Sequence, residues 1–240
     1  MEKKKENYSF RDGLIDGIPI ALGYLSVSFG FGILAVEKGL SVLMAVMMSL
    51  MNLTSAGQVA AVGVISALGT YIEMVAVEFV TNIRYAFMGL SLTQQFNRSI
   101  TRKRKLLISF GVTDEVYAVA SCKPHSVGKN YMYGIILLPY VSWALGTLLG
   151  AVAGNLLPDS IKKALGILLY GMFIAIIVPV AKKDKGVIFA VISACALSCA
   201  MRYIPGLSLI PSGFAMIISS IAAACLAAYF FPKERASKNE

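Results

Sequence analysis

Four ionisable side chains lie inside long apolar runs of this sequence: Glu78, Arg84, Asp114 and Glu115. A charge at the centre of a bilayer costs roughly 2.5 to 3.5 kcal/mol on insertion scales, so each needs a reason to be there. Glu78 and Asn82 are four residues apart and share a helical face. Arg84 is turned about 240° from Glu78 at 100° per residue, so the two cannot pair within one regular helix. Arg84 must find its carboxylate elsewhere, and Asp114 is expected to supply it. One Arg then faces more acids than it can neutralise, and Glu115 or Glu78 is left as an exchangeable acid able to carry a proton or receive a substrate ammonium. The alternative is a buried ion pair that only fixes helix packing. Glu73, nearer the end of its run, is expected to reach the headgroups.

Two short polar sequences mark helix starts at mid-membrane. Thr113-Asp114-Glu115 places a favoured N-cap before two acids that suit the positive end of a helix dipole. Thr54-Ser55-Ala56-Gly57-Gln58 is a second start, with hydroxyls to cap and a glycine to let a ligand approach the backbone, but with no acid. Its free N–H groups are expected to receive a substrate carboxylate, with Asn82 completing the site. Enzyme signatures are missing: there is no G-x-S-x-G, no HExxH and no glycine-rich phosphate loop, and the adjacent acids point two ways. The chain is therefore read as a non-enzyme without a cofactor. Cys122, Cys195, Cys199 and Cys225 form no CxxC pair, and the chain has one histidine, His125. They are expected to be small buried thiols between helices, with no metal site.

The elements that position these groups follow from composition. The 240 residues are 57% hydrophobic and 15% charged, with mean hydropathy +0.72, which excludes a soluble domain, disorder and a disulfide scaffold. The net charge of +9 sits in short clusters between apolar runs, a mark of membrane topology rather than nucleic-acid binding. Lys3-Lys4-Lys5 before an apolar run resembles a signal peptide, but no small-residue cleavage site follows and the run is read as a retained span. Apolar segments cover roughly 14–36, 40–69, 71–96, 106–122, 131–157, 161–181, 187–203 and 213–231. The second is too long for one span of about 20 residues and is interrupted at Asn52 to Gln58; the fourth is cut at Gly111 to Glu115.

Charge decides how the interrupted segments run. Seventeen of the 22 basic residues fall in five clusters, at 3–11, 98–105, 123–129, 182–185 and 233–238. All five are cytoplasmic only if 40–69 and 106–122 enter the membrane, turn at mid-depth and return on the side they came from. Lys38, Lys162, Lys163 and Arg202 then lie outside. The expected architecture is an all-α polytopic membrane protein, one transporter domain over 1–240 with cytoplasmic tails at 1–13 and 232–240. It has about six full crossings and two re-entrant broken hairpins from opposite faces, the pattern of an inverted repeat. Seven or eight short spans with glycine packing sites are the alternative.

In order along the chain stand Leu22-Gly23-Tyr24, Ser28-Phe29-Gly30-Phe31-Gly32, Ser55-Ala56-Gly57-Gln58, Thr81-Asn82-Ile83-Arg84-Tyr85 with Gly89, and Thr113-Asp114-Glu115. This series resembles the azaleucine-resistance (AzlC) family of branched-chain amino acid permeases over nearly the whole chain. The resemblance implies an exporter of branched-chain amino acids in a bacterial inner membrane, working with a small AzlD-type membrane subunit. The family's NxRH-like stretch reads Asn82-Ile83-Arg84-Tyr85 here, and Tyr85 removes a titratable imidazole. The expected function is proton-coupled export of apolar amino acids, with only lipid, substrate and the small subunit as partners. The rival is a non-transporting membrane scaffold.

Overall fold

The computed structural model describes residues 8–97, 99–158 and 184–232, with single residues between 160 and 182. Among them the chain is helical, and its one β-type contact is an isolated bridge between Phe96 and Val127. The helices are α1 (Phe10–Glu37), α2 (Val42–Met51), α3 (Ser55–Ser66), α4 (Tyr71–Leu92), α5 (Arg102–Phe110), α6 (Asp114–Ser121), α7 (Lys129–Leu156), α8 (Lys185–Tyr203) and α9 (Ser212–Phe230). Four of these, α1, α7, α8 and α9, contain stretches long and apolar enough to cross a membrane. Most of the expected span at 161–181, and the basic residues Arg98, Lys162 and Lys163, fall outside the described residues.

The chain divides into two compact units, 1–62 with 81–169, and 63–80 with 170–240. In the first, α1 and α7 are each 28 residues long and each carries an internal proline, Pro19 and Pro139. They pack in parallel along their length through glycines. A Cβ on Gly13 would strike the Tyr131 carbonyl, one on Gly32 the Thr147 carbonyl, and one on Gly150 the Phe29 carbonyl. Such close backbone approach is how helices gain dispersion contact where apolar burial alone gives no drive. Gly17 faces the Ile135 carbonyl, which Pro139 deprives of its helical donor. The N-terminal end of the pair is tied by Asp16, which accepts from the Tyr131 hydroxyl (2.7 Å) and pairs with Lys123 (2.7 Å). The Lys123 ammonium also lies over the rings of Tyr8 and Tyr131.

Both interruptions read from the sequence are breaks between helices. Asn52 to Thr54 separate α2 from α3, and Gly111 to Thr113 separate α5 from α6. Val59 and Val62 of α3 belong to the apolar cluster that holds Val42, Ala45 and Met48 of α2 and Phe31 and Ala35 of α1. The segment containing α5 and α6 begins and ends at one place: the Asn97 amide donates to the Val127 carbonyl (3.0 Å) and the Lys129 amide to Ser99 Oγ (3.1 Å).

The second unit corrects the expectation for Glu73. It is buried at 3% exposure, and its carboxylate accepts from the Gly213 amide (2.6 Å) at the start of α9, a helix whose own N-cap, Pro211, offers no side-chain acceptor. A carboxylate from α4 thus serves the N-terminus of a helix 140 residues later, favoured by the helix dipole. The four cysteines are also corrected. All are exposed, on faces turned away from the protein interior. In a chain whose solvent is largely lipid, a small apolar thiol needs no protein cover.

Candidate functional site

The first break is held by a buried polar network. Thr54 ends the non-helical stretch with its amide donating to Asn52 Oδ1 (3.1 Å), and its carbonyl accepts from Gln58 N (2.9 Å). Gln58 is fully buried and uses its whole amide: Nε2 donates to the Asn52 carbonyl (2.7 Å) and to Ser49 Oγ (3.1 Å), while Oε1 accepts from the Trp143 indole (3.1 Å). Ser49 shares a hydrogen bond with Thr147 (2.7 Å), which donates to the Trp143 carbonyl (3.0 Å). The residues are 85 to 98 positions apart across the α2/α3 to α7 contacts, so no local pattern announced Trp143, Ser49 or Thr147. The amide of Gln58, a residue expected to touch substrate, braces the break. Gln58→Leu should leave two donors or acceptors of Trp143 and Asn52 unsatisfied at about 1 to 3 kcal/mol each, read as a lowered melting temperature of the purified protein.

The second break is built as the sequence indicated. Thr113, buried, caps α6 by accepting from the Val116 amide (3.5 Å), and Asp114 and Glu115 form the first turn. They diverge as the 100° step requires. Asp114 pairs with Arg84 Nη2 (2.8 Å), and Glu115 accepts from the Tyr24 hydroxyl of α1 (2.5 Å). Arg84 donates also to the Tyr85 hydroxyl (3.1 Å) and its guanidinium lies over the Tyr85 ring. Arg84 and Asp114 are 49% and 43% exposed, so this pair faces open space rather than a packed interior. Asp114→Asn should therefore cost little stability, since an exposed guanidinium that loses its partner can be solvated. Glu78 is half-buried on the part of α4 that belongs to the second unit, and Asn82 is half-buried on the part that belongs to the first.

Two tyrosines connect the breaks. Tyr24 interacts with Thr113 and Glu115 of the second break and packs edge-on against Trp143 (5.1 Å), which holds the first. Tyr85 interacts with Thr54 of the first break and neighbours the Arg84–Asp114 pair of the second. The structure thus places Thr54, Arg84, Asp114 and Glu115 in one connected set, with Tyr24, Tyr85 and Trp143 as the members that sequence reasoning did not select. Tyr24 and Tyr85 stood in the quoted series, and their aromatic rings with one polar tip were the available signal. No group of three or more His, Cys, Asp or Glu that could hold a metal occurs among the described residues.

A protein-family profile described as "AzlC protein" matches residues 19–157, a range that spans both breaks and both tyrosines. The chain is 27% identical over 228 residues to "Inner membrane protein YgaZ" of Escherichia coli, covering 92% of this chain and 89% of that protein. It is 27% identical over 191 residues, 77% of this chain and 73% of the other, to "Branched-chain amino acid transport protein AzlC" of Bacillus subtilis. An "Uncharacterized membrane protein" of Helicobacter pylori 26695 is 30% identical over 150 residues, 61% of this chain and 65% of that protein. No solved structure matches. A helical membrane protein whose matched residues enclose the site, this chain belongs to the AzlC family.

Proposed function

We propose that the chain is the large subunit of a secondary transporter that exports branched-chain or similar apolar amino acids across the cytoplasmic membrane, coupled to protons and working with a small AzlD-type membrane subunit. The observation that carries this reading is the linked pair of broken helices, with Arg84, Asp114 and Glu115 at one break and an acid-free helix start at the other. Broken helices that display backbone and charge at mid-depth are a transporter's way of binding a zwitterion. The name of the Bacillus subtilis relative supports the substrate class. A scaffold would have little use for acids beyond the one paired with Arg84. The test is release of labelled leucine from loaded proteoliposomes, with and without the small subunit; no release under either condition removes the transporter reading in favour of the scaffold.

Both broken segments are re-entrant in this proposal. The packing of α3 back against α2, and the hydrogen bonds that join 97–99 to 127–129, support it. The inverted repeat then falls within 10–121: a long helix and a broken pair (α1, α2, α3), followed by another (α4, α5, α6), each with a buried threonine at its break. Cysteine labels at 101–105 and at 124–126 should both report the cytoplasm, as should both tails. Labelling of either loop from outside would show that α5 and α6 cross.

The substrate carboxylate is placed at the first-turn N–H groups of Ser55, Ala56 and Gly57. Gly57, buried at the start of α3, lets the ligand reach the backbone. Gly57→Val is expected to weaken leucine binding at least tenfold, about 1.4 kcal/mol, with the elution profile of the protein unchanged. Wild-type affinity in that variant would remove the carboxylate from this helix start.

A further inference from the structure

Between α4 and α5 the first unit holds an open groove of about 330 Å³. Tyr85, Gly89 and Phe96 line one wall and Lys105, Ser109 and Val112 the other. From Tyr85 to Phe96 is eleven residues, roughly 16 Å at 1.5 Å per residue. The groove therefore runs from the break at Gly111 to Thr113 toward the basic end of α5. Its walls are mainly apolar, and Gly89 opens it: a Cβ there would meet nothing within 4 Å.

Among the lining residues the charged one is Lys105, at the end of the groove away from Tyr85. Lys105 stands there with its ammonium over the Phe96 ring (5.9 Å), and Arg102 and Lys103 are exposed beside it. Arg104 is committed to the Ser99 carbonyl (2.7 Å). Between Arg84, which pairs with Asp114, and Asp114 itself the sequence has no acid and five basic residues, Arg98 and Arg102 to Lys105. Below the basic residues Leu106, Leu107 and Phe110 are exposed, the order expected of a helix that enters lipid from a headgroup layer.

We infer that this groove seats one acyl chain of an anionic glycerophospholipid, with the lipid phosphate held by Lys105 and by Arg102 one turn before it. The groove has the length and apolar lining for a hydrocarbon chain and a cationic mouth at one end, which suits a molecule with one charged end and a long apolar tail. Basic pockets beside membrane helices recognise such headgroups. A zwitterionic amino acid would need an acid as well, and the groove lining has none.

The test uses the full chain in nanodiscs with phosphatidylglycerol or phosphatidylcholine carrying a photoreactive group on the acyl chain, followed by peptide mapping. Labelling should fall on 85–96 and 105–112 and should favour phosphatidylglycerol. Lys105→Gln should cut that preference about fivefold, the worth of one basic residue near an anionic surface. Gly89→Leu, which fills open space and leaves the backbone untouched, should remove the label for both lipids while the protein elutes as before. Equal labelling by the two lipids in the unaltered chain would overturn the inference. So would undiminished labelling in Lys105→Gln, which stands even if Gly89→Leu fails to fold. Displacement of the label by saturating leucine would also overturn it, by giving the groove to the transported substrate; failure of transport itself leaves the lipid result standing.

Discussion

Gly150→Val is expected to abolish folding, while the same substitution at Gly23 on the partner helix is expected to be silent. A Cβ on Gly150 would run into the carbonyl oxygen of Phe29, and its carbonyl carbon and Cα stand close behind. No side chain can swing aside, so α1 and α7 would have to separate. That loss spreads beyond the roughly 1 to 3 kcal/mol of ordinary overpacking, because the helices touch at Gly13, Gly32, Gly134 and Gly146 by the same kind of backbone approach. Gly23 is on α1 too, but a Cβ there meets nothing within 4 Å. The pair of variants separates a loss of close packing from a loss of glycine as such. Monodisperse yield from the membrane and melting temperature decide it, and equal behaviour of the two variants would show that the α1–α7 contact does not hold the unit together.

That contact also shows where sequence reasoning stops. Glycines in apolar runs were visible as packing sites, but their partners were not, because Gly13 and Gly134 become neighbours only once two 28-residue helices lie parallel. Local chemistry was far more legible. Thr113 before two acids marked the start of α6, and Asn52 to Thr54 marked the end of α2, because caps and breaks are set by a few adjacent residues. The pairing of Arg84 with Asp114 followed from excluding Glu78 by helix geometry. Glu73 was misjudged for the opposite reason. Its partner is a backbone amide 140 residues away, and nothing near Glu73 in the chain announces a helix that needs an acceptor. The Gln58–Trp143 network is of the same kind, since its partners stand 85 positions apart in the chain.

The two breaks differ in what they leave available. At the first, the side chain of Gln58 and the indole of Trp143 satisfy each other, so what α3 offers a ligand is its backbone. At the second, side chains dominate, and they are exposed enough to meet water or substrate. Tyr24 and Tyr85, each from a long helix, lie beside the threonine of the break that the other long helix precedes. A shift of either break would therefore be felt at the other through an aromatic side chain.

Glu115→Gln is expected to abolish the dependence of transport on a pH gradient while leaving substrate exchange intact. Asp114 has a counter-charge in Arg84; Glu115, one residue on, is turned toward a hydroxyl instead. A phenol can hydrogen-bond a carboxylate but cannot neutralise it, so a proton on Glu115 breaks no ion pair, whereas one on Asp114 would. Glu115 is therefore the acid this variant tests as the exchangeable one, with Glu78 as the other candidate. Glutamine keeps the length of the side chain and an oxygen that accepts from Tyr24, and removes only the titration. Leucine efflux from proteoliposomes should then be the same with and without an imposed gradient, at least tenfold below the driven rate of the unaltered protein, a loss of about 1.4 kcal/mol in barrier terms. Exchange of labelled for unlabelled leucine, which needs no net proton movement, should persist and shows that the variant is folded and binds. Tyr24→Phe makes the complementary change. It keeps the acid and the ring against Trp143 and removes the hydroxyl, so gradient dependence should remain. If Glu115→Gln responds to the gradient normally, Glu78→Gln is the deciding variant, because dependence that survives both replacements leaves neither acid as the carrier.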